Sequence, residues 1–148
     1  MSFVIRGLDP AQFSTLTAQH RVQRRIVDES PGYPCRVTLE DARVGEEVLL
    51  LNFEHLETDS PYRAAGPIFI RPGAPQRVCA PGEVPPALAR RLLSVRGYDA
   101  KGMMVASDVV EGRELAARLD TFLADPKIAF AHLHNAKPGC FAARVDRV

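Results

Sequence analysis

Two histidines one residue apart, an asparagine, a cysteine and an arginine crowd the C-terminal end of the chain: His132, His134, Asn135, Cys140 and Arg144. In an extended strand, residues two apart point to the same side, so His132 and His134 share a face, as do Cys140 and Arg144. The link through Lys137-Pro138-Gly139 decides whether those faces coincide. A three-residue loop with Gly139 in the left-handed conformation pairs Ala136 with Cys140, then sets His134 opposite Ala142 and His132 opposite Arg144 on one face. A four-residue loop pairs Asn135 with Cys140 and sends the histidines among Phe141, Ala143 and Val145. Gly139 stands where the shorter loop needs it and favours the shared face. Lys137, preceding Pro138, resists the helical conformation that this loop asks of it.

Three roles compete for this face. His132, His134 and Cys140 offer two imidazoles and a thiolate, a set that suits zinc. Cys140 is also a candidate nucleophile, with His134 and Asn135 as catalytic partners and Arg144, Arg36 or a protonated histidine to favour its thiolate. The third role is packing, in which two histidines close a buried strand and Cys140 acts as a small hydrophobe.

Tyr33-Pro34-Cys35-Arg36 is a second centre, because two prolines in and before it pin the approach of a cysteine and an arginine. Cys35 and Cys140 each sit beside a rigid turn. The expectation is that they lie in one pocket with at least one of His132 and His134, Cys35 joining Cys140, His134 and Asn135 as a catalytic candidate. Tyr62-Arg63 in a turn-rich segment, and Arg96 with Tyr98 on one strand face, add candidate anion clamps. Arg36, Arg63, Tyr62, Arg96 and Arg144 are therefore the ligand-binding candidates, for a small anionic or carbonyl-bearing molecule. The opposing reading has these arginines covering strand ends and bonding to carbonyls.

The elements that must carry these groups are short. Residues 3–6 read as a strand, and Asp9-Pro10 opens a helix with a thin apolar stripe of Phe13 and Leu16. Residues 22–27 are extended, 38–41 form a single helical turn, and 47–55 form a strand. On that strand Leu49, Leu51, Phe53 and His55 share one face. A strand at 68–71, a proline-rich loop at 72–86 and a short helix at 87–92 follow. The strands at 93–99 and 103–110 are joined through Ala100-Lys101-Gly102. The clearest helix spans 111–124, with Leu115, Leu119, Phe122 and Leu123 on one side. Strands at 128–135 and 140–145 complete a single domain, 1–148. Neighbouring strands linked by hairpins, with two or three short helices, predict an α+β fold on a mainly antiparallel sheet, open to curling into a barrel.

Composition narrows the function classes. The chain has 148 residues, nineteen basic against eighteen acidic side chains and a net charge of +1, so no strong field draws it to nucleic acid or an anionic membrane. Sixteen of the nineteen basic residues are arginine, the better bidentate partner for carboxylate and phosphate. Three cysteines without a CxxC pair argue against a disulfide framework and a zinc ribbon. The N-terminus reaches a charge at once and has no signal-peptide core, which points to the cytoplasm. The longest apolar run, Val48–Leu51, is too short to span a bilayer. The two function classes left are a small enzyme or small-molecule-binding protein, and a non-catalytic module whose sheet edge pairs with a second copy in a homodimer or with another protein.

The chain resembles the bacterial family known as domain of unknown function 1203. The resemblance runs through Tyr33-Pro34-Cys35-Arg36 with Leu39-Glu40-Asp41-Ala42, Leu49-Leu50-Leu51, Ser60-Pro61-Tyr62-Arg63 and Gly66-Pro67-Ile68-Phe69. It continues through Arg96-Gly97-Tyr98-Asp99, His132-Leu133-His134-Asn135-Ala136 and Gly139-Cys140-Phe141. It implies a small stand-alone bacterial protein and carries over no activity, cofactor or catalytic residue.

Overall fold

The computed structural model describes residues 2–14 and 21–148. Its strands are β1 (Phe3–Arg6), β2 (Gln23–Ile26), β3 (Pro34–Cys35), β4 (Glu40–Asp41), β5 (Glu47–Leu56), β6 (Ala64–Ile70), β7 (Leu92–Tyr98), β8 (Met104–Glu111), β9 (Phe130–Asn135) and β10 (Phe141–Arg147). Two α-helices, α1 (Pro86–Ala89) and α2 (Leu115–Phe122), and 3-10 turns at Pro10–Phe13 and Gly112–Glu114 accompany them. The Asp9 carboxylate caps the first of these turns, accepting from the Ala11 N–H at 3.0 Å. Leu16, the second residue of the expected stripe there, lies outside the described residues.

The strands form two five-stranded sheets, ordered β1-β10-β9-β7-β8 and β2-β5-β6-β3-β4. All the pairings are antiparallel except β3 with β6. One face of the first sheet carries Leu93, Val95, Leu133 and Val145 against Leu115, Leu119 and Leu123 of the α2 segment, all 1% exposed or less. Phe122 is half-buried beside them, and Arg113 and Arg118 are exposed. The opposite face carries His132, His134 and Phe141, which meet Phe53 and His55 of β5. The alternation read for residues 47–55 therefore gives the contact between the sheets: Leu49 and Leu51 pack with Phe141, and His55 stacks on its ring.

The α+β expectation needs correcting. Strands make up 41% of the structure and helical residues 13%, α2 is the one helix of seven or more among the described residues, and the sheets do not close into a barrel. The reason lies in the short connections. The expected helical turn at 38–41 is a hydrogen-bonded turn at 36–39, after which Glu40 and Asp41 pair back onto Cys35 and Pro34 as β4. The proline-rich loop forms no named strand: Val78 bridges Arg6, Gly7 N donates to Arg77 O, Cys79 N to Ile5 O and Gly82 N to Phe3 O, and Pro75 and Pro81 flanking this stretch have no N–H to donate. No described helix is long and apolar enough to cross a membrane.

Leu119 is fully buried at the centre of the α2 contact. Leu119→Ala should cost about 2–5 kcal/mol, the lost transfer energy plus the cavity left behind. Chemical denaturation monitored by circular dichroism reads this directly, and a loss below about 1 kcal/mol would contradict the packing described.

Candidate functional site

Arg36 begins the turn after β3, and its backbone is held from three sides. Its N–H donates to Phe69 O at 3.0 Å, its carbonyl accepts from Leu8 N at 2.8 Å, and the next carbonyl, of Val37, accepts from Arg77 N at 2.9 Å. Gly7 makes this clamp possible, since a Cβ there would lie 2.2 Å from Val37 O. Leu39, at the end of the turn, has φ 58°, the one left-handed non-glycine residue among those described. Such a conformation costs of order 1 kcal/mol or more and persists where surrounding structure imposes it.

The clamp aims the Arg36 side chain inward. Its Nη1 donates to Pro34 O at 2.6 Å, its Nε to Phe141 O at 2.7 Å and its Nη2 to Cys140 Sγ at 3.0 Å. The residue is 3% exposed, and among the described residues its side-chain partners are two carbonyls and a sulfur, with no carboxylate. Burial pushes its pKa down, and the neighbouring Cys140 sulfur opposes that shift.

The β9–β10 link brings Cys140 to this point. Gly139, with φ 82°, donates its N–H to Asn135 O at 2.8 Å, and Asn135 N donates to Cys140 O at 2.9 Å. That is the four-residue loop, which sets His134 opposite Phe141. A bulge at Ala142 then restores the register of the shorter loop, so His132 lies opposite Arg144 after all. Asn135 Nδ2 donates to Cys140 Sγ at 3.4 Å, while its Oδ1 is buried without a partner. The sulfur thus accepts from a guanidinium and from an amide.

These groups line a cleft of about 700 Å³ between β6 and the β9–β10 loop. β3 covers only the Phe69 end of the outer edge of β6, which leaves Ala65 to Ile68 bordering the space. Arg36, Arg90, Arg91 and Lys137 line it, with Asn135, Cys140 and His55, and no carboxylate does. Arg90 and Arg91 share one buried carboxylate, Asp41, at 2.9 Å and 2.5 Å. Four cations against one carboxylate give the cleft lining a net positive charge.

Three imidazoles, His55, His132 and His134, form a triangle behind this cleft with ring centroids 4.9, 5.9 and 6.4 Å apart, each also within 6 Å of Phe141. His134 Nδ1 donates to Gly139 O at 3.0 Å, leaving its Nε2 without a partner, as are Nδ1 of His55 and of His132. Burial pushes the pKa of His132 down to about 3 and that of His134 to about 4, and lowers that of His55. The rings are neutral near pH 7. No described group of three or more His, Cys, Asp or Glu is gathered to hold a metal ion: the Cys140 sulfur bonds to Arg36 and Asn135, and His134 to Gly139.

The other sequence candidates are scattered. Cys35 is 1% exposed, lines neither this cleft nor the next, and its sulfur accepts from Arg71 N and Thr38 N at 3.3 and 3.5 Å. The pocket expected to join Cys35 with Cys140 is therefore replaced by one joining its neighbour Arg36 with Cys140. His132 and Arg144 line a second cleft, of about 720 Å³, which shares His55 and Phe141 with the first. Arg144 lies 4.2 Å over the Phe130 ring and pairs with Asp146. Arg63 pairs with Glu54 at the surface, Tyr62 is exposed, and Arg96 donates to Ser94 Oγ at 3.2 Å beside the histidines. Sequence reading passed over Arg90, Arg91, Lys137 and His55 as site residues. Of these only His55 had a usable signal, its place on the inward face of β5.

The family described as "Protein of unknown function (DUF1203)" matches residues 32–147. The chain belongs to this family. The DUF1203 match takes in every residue lining the cationic cleft, while β1, the turn at Pro10–Phe13 and β2 precede it. No curated protein and no solved structure matches the chain.

The buried imidazoles make a pH prediction. Histidine titrates near 6.5 in an unfolded chain, so between that pH and the folded values the unfolded state binds more protons. Stability should be full above about pH 6.5 and fall as the pH drops toward 4, at most by about 1.4 kcal/mol per pH unit for each of His132 and His134. Urea midpoints between about pH 7 and 5, above the range where most carboxylates titrate, read the slope. His132→Asn should flatten it, and a midpoint constant across that window would refute the neutral buried rings.

Proposed function

We propose that this DUF1203 protein holds a small anionic molecule, a carboxylate or a phosphate ester, in the cleft between β6 and the β9–β10 loop, with the Cys140 thiol at its wall. The observation that carries this reading is a lining of four cationic side chains and no carboxylate. The Arg36 guanidinium, buried and bonded to the one sulfur in the cleft, adds a fixed positive charge at that wall. The chain's three free cysteines suit a reducing cytoplasm.

Inorganic phosphate is the first probe. Binding should raise the melting temperature in a concentration-dependent way, equivalent to about 2.7 kcal/mol at a hundredfold excess over Kd. Lys137→Ala and Arg90→Ala should each weaken the shift, since Arg91 still satisfies Asp41 without Arg90. A melting temperature identical in phosphate and in chloride of equal ionic strength would overturn the reading.

One observation favours a second reading, self-association. β8 is the outer strand of its sheet, and Val105 and Val109 on it are 42% and 59% exposed. A second copy pairing along that edge would cover both. Sedimentation should then show a dimer that Val109→Lys dissociates, and a monomer at high concentration would exclude it.

A further inference from the structure

We infer that Cys140 is the attachment point of a mixed disulfide with a small anionic thiol, formed by thiol–disulfide exchange inside the cationic cleft. The inference rests on the anion-binding reading of that cleft and names the chemical class of its occupant.

Cys140 is the one sulfur lining the cleft. Cys35 is turned into the core, and Cys79 is buried beside β1, its N–H bonded to Ile5 O. An oxidised Cys140 therefore finds its sulfur partner in a molecule bound in the cleft rather than in the chain. The half-buried sulfur accepts from Arg36 at 3.0 Å and from Asn135 at 3.4 Å, so two N–H donors are directed at it. A second polar group of the lining is left unsatisfied. Asn135 is 6% exposed, and its Oδ1 has no partner although it lines the cleft. That oxygen suits an amide N–H of a ligand, so the thiol best matched is a peptide-like one with carboxylates for Arg90, Arg91 and Lys137.

The local chemistry also selects among reactions. Attack on a carbonyl needs N–H donors aimed at a developing oxyanion. The two side-chain donors next to the sulfur each direct an N–H at it rather than at a carbonyl oxygen in the cleft. Disulfide exchange needs no oxyanion site. The Cys140 proton goes to solvent, and the thiolate electron pair forms a bond to the nearer sulfur of a small disulfide RSSR. The old S–S bond breaks, and its electron pair leaves on the farther sulfur as RS⁻, which takes a proton from solvent. A second RSH reverses the step, and no further oxidant or reductant is consumed.

Intact-mass spectrometry at low salt tests this with three disulfides of different charge: oxidised glutathione (anionic and peptide-like), hydroxyethyl disulfide (neutral) and cystamine (cationic). One adduct should form, map to Cys140 and vanish in Cys140→Ser. It should form at least about tenfold faster from the anionic disulfide than from the cationic one, with the preference shrinking at high salt and in Lys137→Glu. Reduction should remove it. Equal rates, a faster cationic reaction, or an adduct on Cys35 or Cys79 would overturn the inference. If phosphate raises the melting temperature but the charge preference is absent, the disulfide chemistry is refuted and the anion-binding cleft stands. If phosphate has no effect and no preference exists, both are refuted.

Discussion

The Arg36 guanidinium bonds at once to Pro34 O in its own turn, to Phe141 O at the start of β10 and to Cys140 Sγ at the end of the loop before it. Those bonds cross between the two sheets, since Pro34 belongs to the second and Phe141 to the first. Remove the charged fork and the buried Phe141 carbonyl and the half-buried Pro34 carbonyl lose this donor while the Cys140 loop loses its tether. The conditions that let Arg36 reach this position are met locally: Gly7 allows a close backbone approach, Leu39 accepts a left-handed backbone, and Phe69 O receives the Arg36 N–H. The β3 turn therefore spends backbone strain on placing a charge beside a sulfur.

Behind that charge the seam between the sheets is aromatic and basic by composition but neutral in practice. Phe141 packs against three imidazoles, and burial, reinforced by nearby arginines, keeps all three uncharged at neutral pH. A neutral seam matters for the cleft in front of it. Charged imidazoles there would add like charge beside Arg36 and weaken the packing of Phe141, whose carbonyl is one of the Arg36 acceptors. The two clefts meet at His55 and Phe141, so this seam forms part of the wall of each.

How far this could be read from the residues depends on the range of the interaction involved. Period-two alternation put Leu49, Leu51, Phe53 and His55 on one face, which the structure turns inward, and the i, i+4, i+7, i+8 spacing placed Leu115, Leu119 and Leu123 in the core while Phe122 stays half-buried, because both patterns are local. The helix content was overestimated because turn residues such as Thr38 to Asp41 satisfy a helical start as well as a tight turn followed by a strand pairing back. The hairpin register defeated both alternatives: Gly139 closes a four-residue loop, and the bulge at Ala142 has no glycine to mark it. The Cys35 expectation turned on one residue. At the end of β3, adjacent side chains point opposite ways, so Cys35 enters the core while the longer Arg36 spans to Cys140. Arg90 and Arg91 depend on Asp41, some fifty residues away, a pairing that spacing does not encode.

The central claim is that one buried guanidinium ties the two sheets together and presents its charge to an anion in the cleft. Nitrogen-detected NMR of the arginine side chains during a phosphate titration tests it most directly. Arg36 Nε–H, sealed against Phe141 O, should exchange with solvent far more slowly than the exposed arginines, and the Arg36 guanidinium resonances should shift progressively with phosphate. An Arg36 Nε–H that exchanges as fast as those of exposed arginines, with resonances that phosphate leaves in place, would contradict the account.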